Sequence, residues 1–197
     1  MRPIATLLIA ALFAAAPSPA SATRIALYRA GAAVVTPGTL EDPGTYGVGY
    51  GFNLGVSVPF MHRLAITLDV AHDRLRWENG SEVTIATESL TRDDLSVTSL
   101  MLGADVAFRR GNEARPLITV GLGVARVAPG DAEIIDLLAG RRTQPEESET
   151  VFAMSAAAGL RLRGPWWPGA MRMTIGVMGL GREEFAYVVP LRIQVEF

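Results

Sequence analysis

Between residues 46 and 60 the chain alternates without a break. Tyr46, Val48, Tyr50, Phe52, Leu54, Val56, Val58 and Phe60 share one parity, and Gly47, Gly49, Gly51, Asn53, Gly55 and Ser57 share the other. Successive side chains of a β-strand point to opposite faces, so large apolar residues face one way and small ones the other. A strand in a soluble domain usually runs about 5 to 6 residues. An alternation of this length fits a strand that crosses a bilayer at a slant, with one face in lipid.

The split recurs downstream. Leu64, Ile66, Leu68 and Val70 oppose Thr67 and Asp69, while Leu100, Leu102, Ala104, Val106 and Phe108 oppose Ser99, Gly103 and Asp105. Ile118, Val120, Leu122 and Val124 oppose Thr119, Gly121, Gly123 and Ala125. Phe152, Met154, Ala156, Ala158, Leu160 and Leu162 oppose Ser155, Gly159, Arg161 and Arg163. Met171, Met173, Ile175 and Val177 oppose Arg172, Thr174 and Gly176, and Leu191, Ile193, Val195 and Phe197 oppose Arg192, Gln194 and Glu196. A weaker segment at 24–35 completes a set of eight.

The connections alternate as an outer-membrane barrel requires, with short periplasmic turns and longer outer loops. Short links fall at 59–63, 109–115 and 164–169, and longer ones at 36–44, 79–93 and 129–149; the link at 182–184 is short where a long one belongs. Aromatic residues form two belts at the ends of the segments. Tyr46, Trp77, Phe152, Phe185 and Tyr187 lie on the outer side, and Phe60, Phe108, Trp166, Trp167 and Phe197 on the periplasmic side.

Composition removes several other classes. With 49% apolar residues, 19% charged residues and a net charge of −2, the chain is neither disordered nor an electrostatic match for nucleic acid. All 18 basic residues are arginine, and the absence of cysteine excludes disulfides, thiolate metal sites and a cysteine nucleophile. Arg2, the apolar stretch 4–16 and Ala20-Ser21-Ala22 form a secretory signal peptide, too short in its apolar core for a membrane helix. Residues 1–22 are therefore read as leader and 23–197 as one barrel domain, with 17 arginines against 20 acidic residues.

The leader, the eight alternating segments and the final Leu191-Arg192-Ile193-Gln194-Val195-Glu196-Phe197 together resemble small Gram-negative outer-membrane barrels, such as the OmpA membrane domain, OmpX and OmpW. The resemblance implies an all-β, eight-stranded, antiparallel up-and-down transmembrane barrel in the bacterial outer membrane, without a cofactor. It further implies that Leu191, Ile193, Val195 and Phe197 form the signal read by the barrel-assembly machinery, and that the barrel is a monomer in contact with outer-membrane lipid.

Parity sends Asp69, Asp105, Arg109, Arg161, Arg163, Arg172, Arg192 and Glu196 inward, with Asp73 joining them unless a bulge intervenes. An eight-stranded barrel is just wide enough for its own side chains or one small ligand. Near-balanced charge in so narrow a lumen points to a salt-bridged plug; a narrow gated ion path through the same residues is the alternative.

Outside the barrel, residues 131–140 read as a short helix capped by Asp131 and Gly140, closing the barrel mouth or offering an apolar patch to a partner or hydrophobic solute. The acidic run 146–149 reads as solvated loop. Arg74, Arg76, Arg126 and Arg182 lie near outer strand ends, where guanidinium groups suit lipopolysaccharide phosphates or loop carboxylates.

Catalysis finds little support. His62 falls in a turn, and His72, flanked by Asp69 and Asp73, has the parity of the lipid face; Ser81, Ser89, Ser96 and Ser99 lie in no recognisable nucleophile motif. The resulting expectation is a non-enzymatic envelope protein with a plugged polar lumen and functional outer loops. A narrow channel or small hydrophobic-solute transporter is the second reading, and a lipid-modifying enzyme the third. A soluble lipocalin-type barrel is the competing fold, and it needs the large apolar face turned inward.

Overall fold

A computed structural model describes residues 26–38, 46–61, 63–77, 88–92, 94–108, 114–130, 132–136, 140–145, 147–164, 169–181 and 186–197. The strands are β1 (Leu27–Pro37), β2 (Gly49–Met61), β3 (Leu64–Leu75), β4 (Glu88–Arg92), β5 (Leu95–Ala107), β6 (Ala114–Ala128), β7 (Ala132–Asp136), β8 (Gly140–Gln144), β9 (Glu149–Leu162), β10 (Ala170–Gly181) and β11 (Ala186–Glu196). Eight of them close a barrel in the order β1-β11-β10-β9-β6-β5-β3-β2, every pair antiparallel, and β4-β7-β8 form a separate sheet.

Closure fixes the stagger. From Leu27 the paired residues run through Ser57, Thr67, Gly103, Gly121, Ser155, Met178 and Val188 back to β1 at Pro37, ten residues beyond the start. An offset of about 33 Å along the strands, across eight spacings of about 4.8 Å, tilts them by roughly 40°. The turns joining β2 to β3, β5 to β6 and β9 to β10 lie at the same end as the start of β1 and the end of β11, and both outer-sheet segments lie between strands joined at the other end. Short turns with the strand termini mark the periplasmic end of such a barrel.

The alternation sorts the two faces. Phe52, Leu102, Leu122 and Ile175 on the outer wall are each 57–61% exposed, while Asn53, Thr67, Arg172 and Gln194 are buried inside. Large apolar residues outside and polar ones inside are the reverse of a soluble ligand-binding calyx, so the exterior is a lipid face. Phe60, Phe108 and Phe197 stand exposed at the periplasmic end, and Phe152 at the other.

Three expectations are corrected. Where the sequence predicts a helix over 131–140, the described residues are strands: Ala132–Asp136 pairs antiparallel with Gly140–Gln144 and also with Glu88–Arg92. A partner strand distant in sequence satisfies the backbone that local periodicity assigned to a helical turn. Tyr46 lies ahead of β2, bridged to Trp77 and packed against the interior, so it is not on the lipid face with Tyr50. The first strand begins at Leu27 rather than 24. The leader, His62, Ser81, Arg109, Asp131, Glu146, Trp166, Trp167, Arg182 and Phe185 lie outside the described residues.

Candidate functional site

The inward face has two tiers. In the outer half, Val35, Leu75, Val97, Val127, Leu180 and Val188 converge in one apolar cluster, each no more than 0% exposed. The inward places nearer the periplasm hold all of the charges but one: Asp73 stands at the level of Val97, its cross-strand partner, and is met there by Arg192. The expected polar lumen has an apolar part as well, because inward residues change character along the strands: Val97 and Asp105 share the inward face of β5, and Val188 and Glu196 that of β11. Volume decides this division, since apolar side chains fill the lumen without polar atoms that would need partners.

Arg29 organises the charged tier. It stands on β1, buried at 2% exposure, and its Nη2 donates to both Asp69 oxygens at 2.9 and 2.8 Å while Nη1 donates to Asp105 Oδ2 at 3.1 Å. Arg172 of β10 binds Asp105 through two nitrogens, Nη2 reaching Oδ1 at 3.0 Å, and also donates to Thr119 Oγ1. Thr119 in turn donates to Asp105 Oδ1 at 2.7 Å. Two arginines and two aspartates from four strands thus form one neutral cluster, with the bidentate geometry that guanidinium and carboxylate favour.

Two further ion pairs flank it. Arg192 Nη2 meets Asp73 Oδ2 at 3.2 Å, and Arg161 pairs with Glu196 at the periplasmic side. Asp73 points inward, the β2–β3 irregularity lying at the far end between Pro59 and Met61. Asp69, Thr119, Arg172, Arg192 and Gln194, together with Met101, Val177 and Met178, line an internal cavity of about 60 Å³ of mixed character, large enough for a few water molecules.

Of the residues expected in the lumen, Asp69, Asp105, Arg161, Arg172, Arg192 and Glu196 are brought into these three groups. Arg163 is not. β9 ends at Leu162, so strand parity no longer governs Arg163, and its side chain stands exposed at a periplasmic mouth of about 340 Å³ shared with Arg161 and Glu196. Arg29 was missed by the alternation because its strand places Ala30 and Ala32 outward, too small to mark a lipid face. The signal that finds it is charge itself: an arginine two residues before Gly31 in an otherwise apolar strand needs an inward partner.

On the outside, Arg74 Nε donates to Asp94 Oδ2 at 2.9 Å, Arg126 donates through Nε and Nη2 to Ser148 Oγ at 3.1 and 2.8 Å, and Arg76 is exposed beyond β3. His72 lies on the lipid side, hydrogen-bonded through Nδ1 to Thr98 Oγ1 at 2.8 Å and tilted against Phe52 with centroids 5.5 Å apart. Asp69 and Asp73 point to the other face of the same strand, so neither orients His72 as a base. Leu191, Ile193 and Phe197 of the last strand are exposed to lipid, and Phe197 continues the seam by exchanging backbone hydrogen bonds with Tyr28 at 2.9 and 3.0 Å.

No protein-family model matches the sequence, and no curated protein does. Solved structures do. Neisserial surface protein A (NspA) matches with a TM-score of 0.58 at 13% identity, covering 88% of this chain and 97% of its own. The attachment invasion locus protein Ail of Yersinia pestis matches at TM-score 0.49 and 16% identity, over 87% of this chain and 97% of that one. OprG, an outer membrane protein from Pseudomonas aeruginosa, matches at TM-score 0.48 and 12% identity, over 87% and 95%. The closed eight-stranded barrel and the match to NspA give the chain the fold of the small eight-stranded outer-membrane barrels.

Proposed function

We propose that this protein is a small outer-membrane barrel whose interior is a structural plug and whose outer loops carry its activity as an envelope or interaction protein. One observation carries the reading: Val35, Leu75, Val97, Val127, Leu180 and Val188 form an apolar tier that is fully buried and lies in line with the charged tier. An ion crossing the lumen would have to leave water for an apolar constriction and break a neutral salt-bridged cluster, each costly in a low-dielectric interior. The barrel then serves as a rigid base for β4, β7 and β8. Loops on a fixed scaffold are the usual place for recognition. The same fold in a protein named as a surface protein supports this assignment.

Assembly fits the same picture. Leu191, Ile193, Val195 and Phe197 all lie on the outer parity of β11, where the assembly machinery can read them as one edge before the strand pairs with β1. The test is single-channel recording in planar bilayers after insertion is verified by a heat-dependent gel shift. The wild type is expected to be silent, and deletion of residues 131–145 to leave insertion intact while abolishing binding of any surface partner. Reproducible wild-type conductance that changes when Asp105 or Arg161 is neutralised would overturn the plug and favour the transport reading.

A further inference from the structure

The lipid face is not an even cylinder. Across β3, β5, β6, β9 and β10 it carries a groove of about 720 Å³ lined by Ile66, Leu102, Leu122, Met154, Ala156 and Val177. The hollow follows from residue size. Ala104, Val120, Ala156 and Val177 are consecutive partners around the wall, and in the adjacent row Met154 is followed by Gly179, so small residues interrupt the apolar side chains on either hand.

Toward the outer end of the same strands the wall turns polar. His72, Thr98 and Arg126 are direct cross-strand partners, and Arg126 lies four residues past Leu122 on β6, about 13 Å along the strand. Arg74 is met by a carboxylate, Asp94. Arg126 donates through Nε and Nη2 to the neutral hydroxyl of Ser148, which places a guanidinium group at the outer edge of the apolar wall.

We propose that this wall is a specific site for the phosphorylated glycolipid of the outer leaflet, with an acyl chain in the groove and a phosphate on Arg126. A groove in a lipid face must be filled by acyl chain, and an arginine at its outer end selects an anionic headgroup through charge-assisted hydrogen bonds. The orientation of the barrel, with Arg126 at the end away from the strand termini, selects the outer leaflet. The site rests on the outer-membrane reading above but not on the plug, since every residue named lies on the exterior.

The full chain, refolded in detergent and checked by its heat-dependent gel shift, is incubated with bisphosphorylated lipid A and examined by native mass spectrometry. Parallel samples contain dephosphorylated lipid A or phosphatidylglycerol. Retention of the bisphosphorylated lipid is expected to fall roughly tenfold in Arg126→Gln, the scale of one lost charge-assisted contact. Ala156→Phe is expected to lower it comparably by filling the groove, and Ile193→Phe, on the lipid face of β11, to leave it unchanged. Ala104→Leu replaces Ala156→Phe if the latter does not fold. Equal retention of phosphatidylglycerol, or retention unchanged in both Arg126→Gln and the groove-filling variant, overturns the site. Bilayer silence is independent of these outcomes, so the two readings fail separately.

Discussion

Arg29 and Asp69 hold each other across an intervening strand: the guanidinium of β1 reaches past Gly55 of β2 to place Nη2 2.9 and 2.8 Å from the two carboxylate oxygens on β3. The three residues occupy one row, Arg29 paired with Gly55 and Gly55 with Asp69. A Cβ built at Gly55 would overlap Asp69 Oδ1, so the glycine is a requirement of the ion pair. Gly51 stands in the same relation to Asp73.

Gly55→Ala should therefore destabilise the barrel by about 1–3 kcal/mol, the usual cost of forcing extra volume into a packed interior. Gly164→Ala, where nothing lies within 4 Å of the added carbon, is the control and should be neutral. Urea unfolding in lipid vesicles, followed by the gel shift, measures both.

Asp105 accepts from Arg29, Arg172 and Thr119 at once. Asp105→Asn leaves two buried guanidinium groups short of a counter-charge, and breaking a buried ion pair on one side costs about 3–5 kcal/mol. Arg74→Gln, which breaks the half-exposed pair with Asp94, should cost under about 1 kcal/mol. Comparable losses at the two sites would contradict the neutral cluster.

The apolar tier responds to volume. Leu180 is fully buried, and Leu180→Ala should cost about 2–5 kcal/mol by opening a cavity in the outer half of the lumen. Combining it with Leu75→Ala should give the first measurable conductance if this tier is the barrier. Persistent silence of the folded double variant would place the barrier wholly in the charged tier.

The lipid face has a depth profile. Leu102→Arg, near the middle of β5, should cost about 2–4 kcal/mol in a bilayer, whereas Val48→Arg, exposed just before β2, should cost no more than about 1 kcal/mol. Equal costs in refolding titrations would mean that the apolar band does not end where the strands do.

Much of this architecture was legible in the chain. Phe52, Leu54 and their counterparts on the other strands announced the lipid face because lipid demands large apolar residues at every second place, a rule that needs no knowledge of neighbours. The interior obeys a different rule. Val97 and Asp105 share a parity, and what divides them is their height in the lumen, which depends on stagger around the whole ring. Arg29 was hidden for a related reason, since its partners lie 40 and 76 positions away. The strand at Ala132–Asp136 was hidden because its pairing with Glu88–Arg92 crosses the chain, while its apolar spacing alone suits a helical turn.

The seam between β1 and β11 couples topology to electrostatics. Arg29 arrives with the first strand of the barrel and Arg172 with the last hairpin, β10–β11, yet both neutralise Asp105, which lies midway along the chain. In the sheet order Arg29 on β1 and Arg172 on β10 each stand three strands from Asp105 on β5, on opposite sides of it, so only the curled ring brings both guanidinium groups onto the one carboxylate. Full charge neutralisation thus requires ring closure, and a sheet still open at the seam is expected to be disfavoured inside the bilayer.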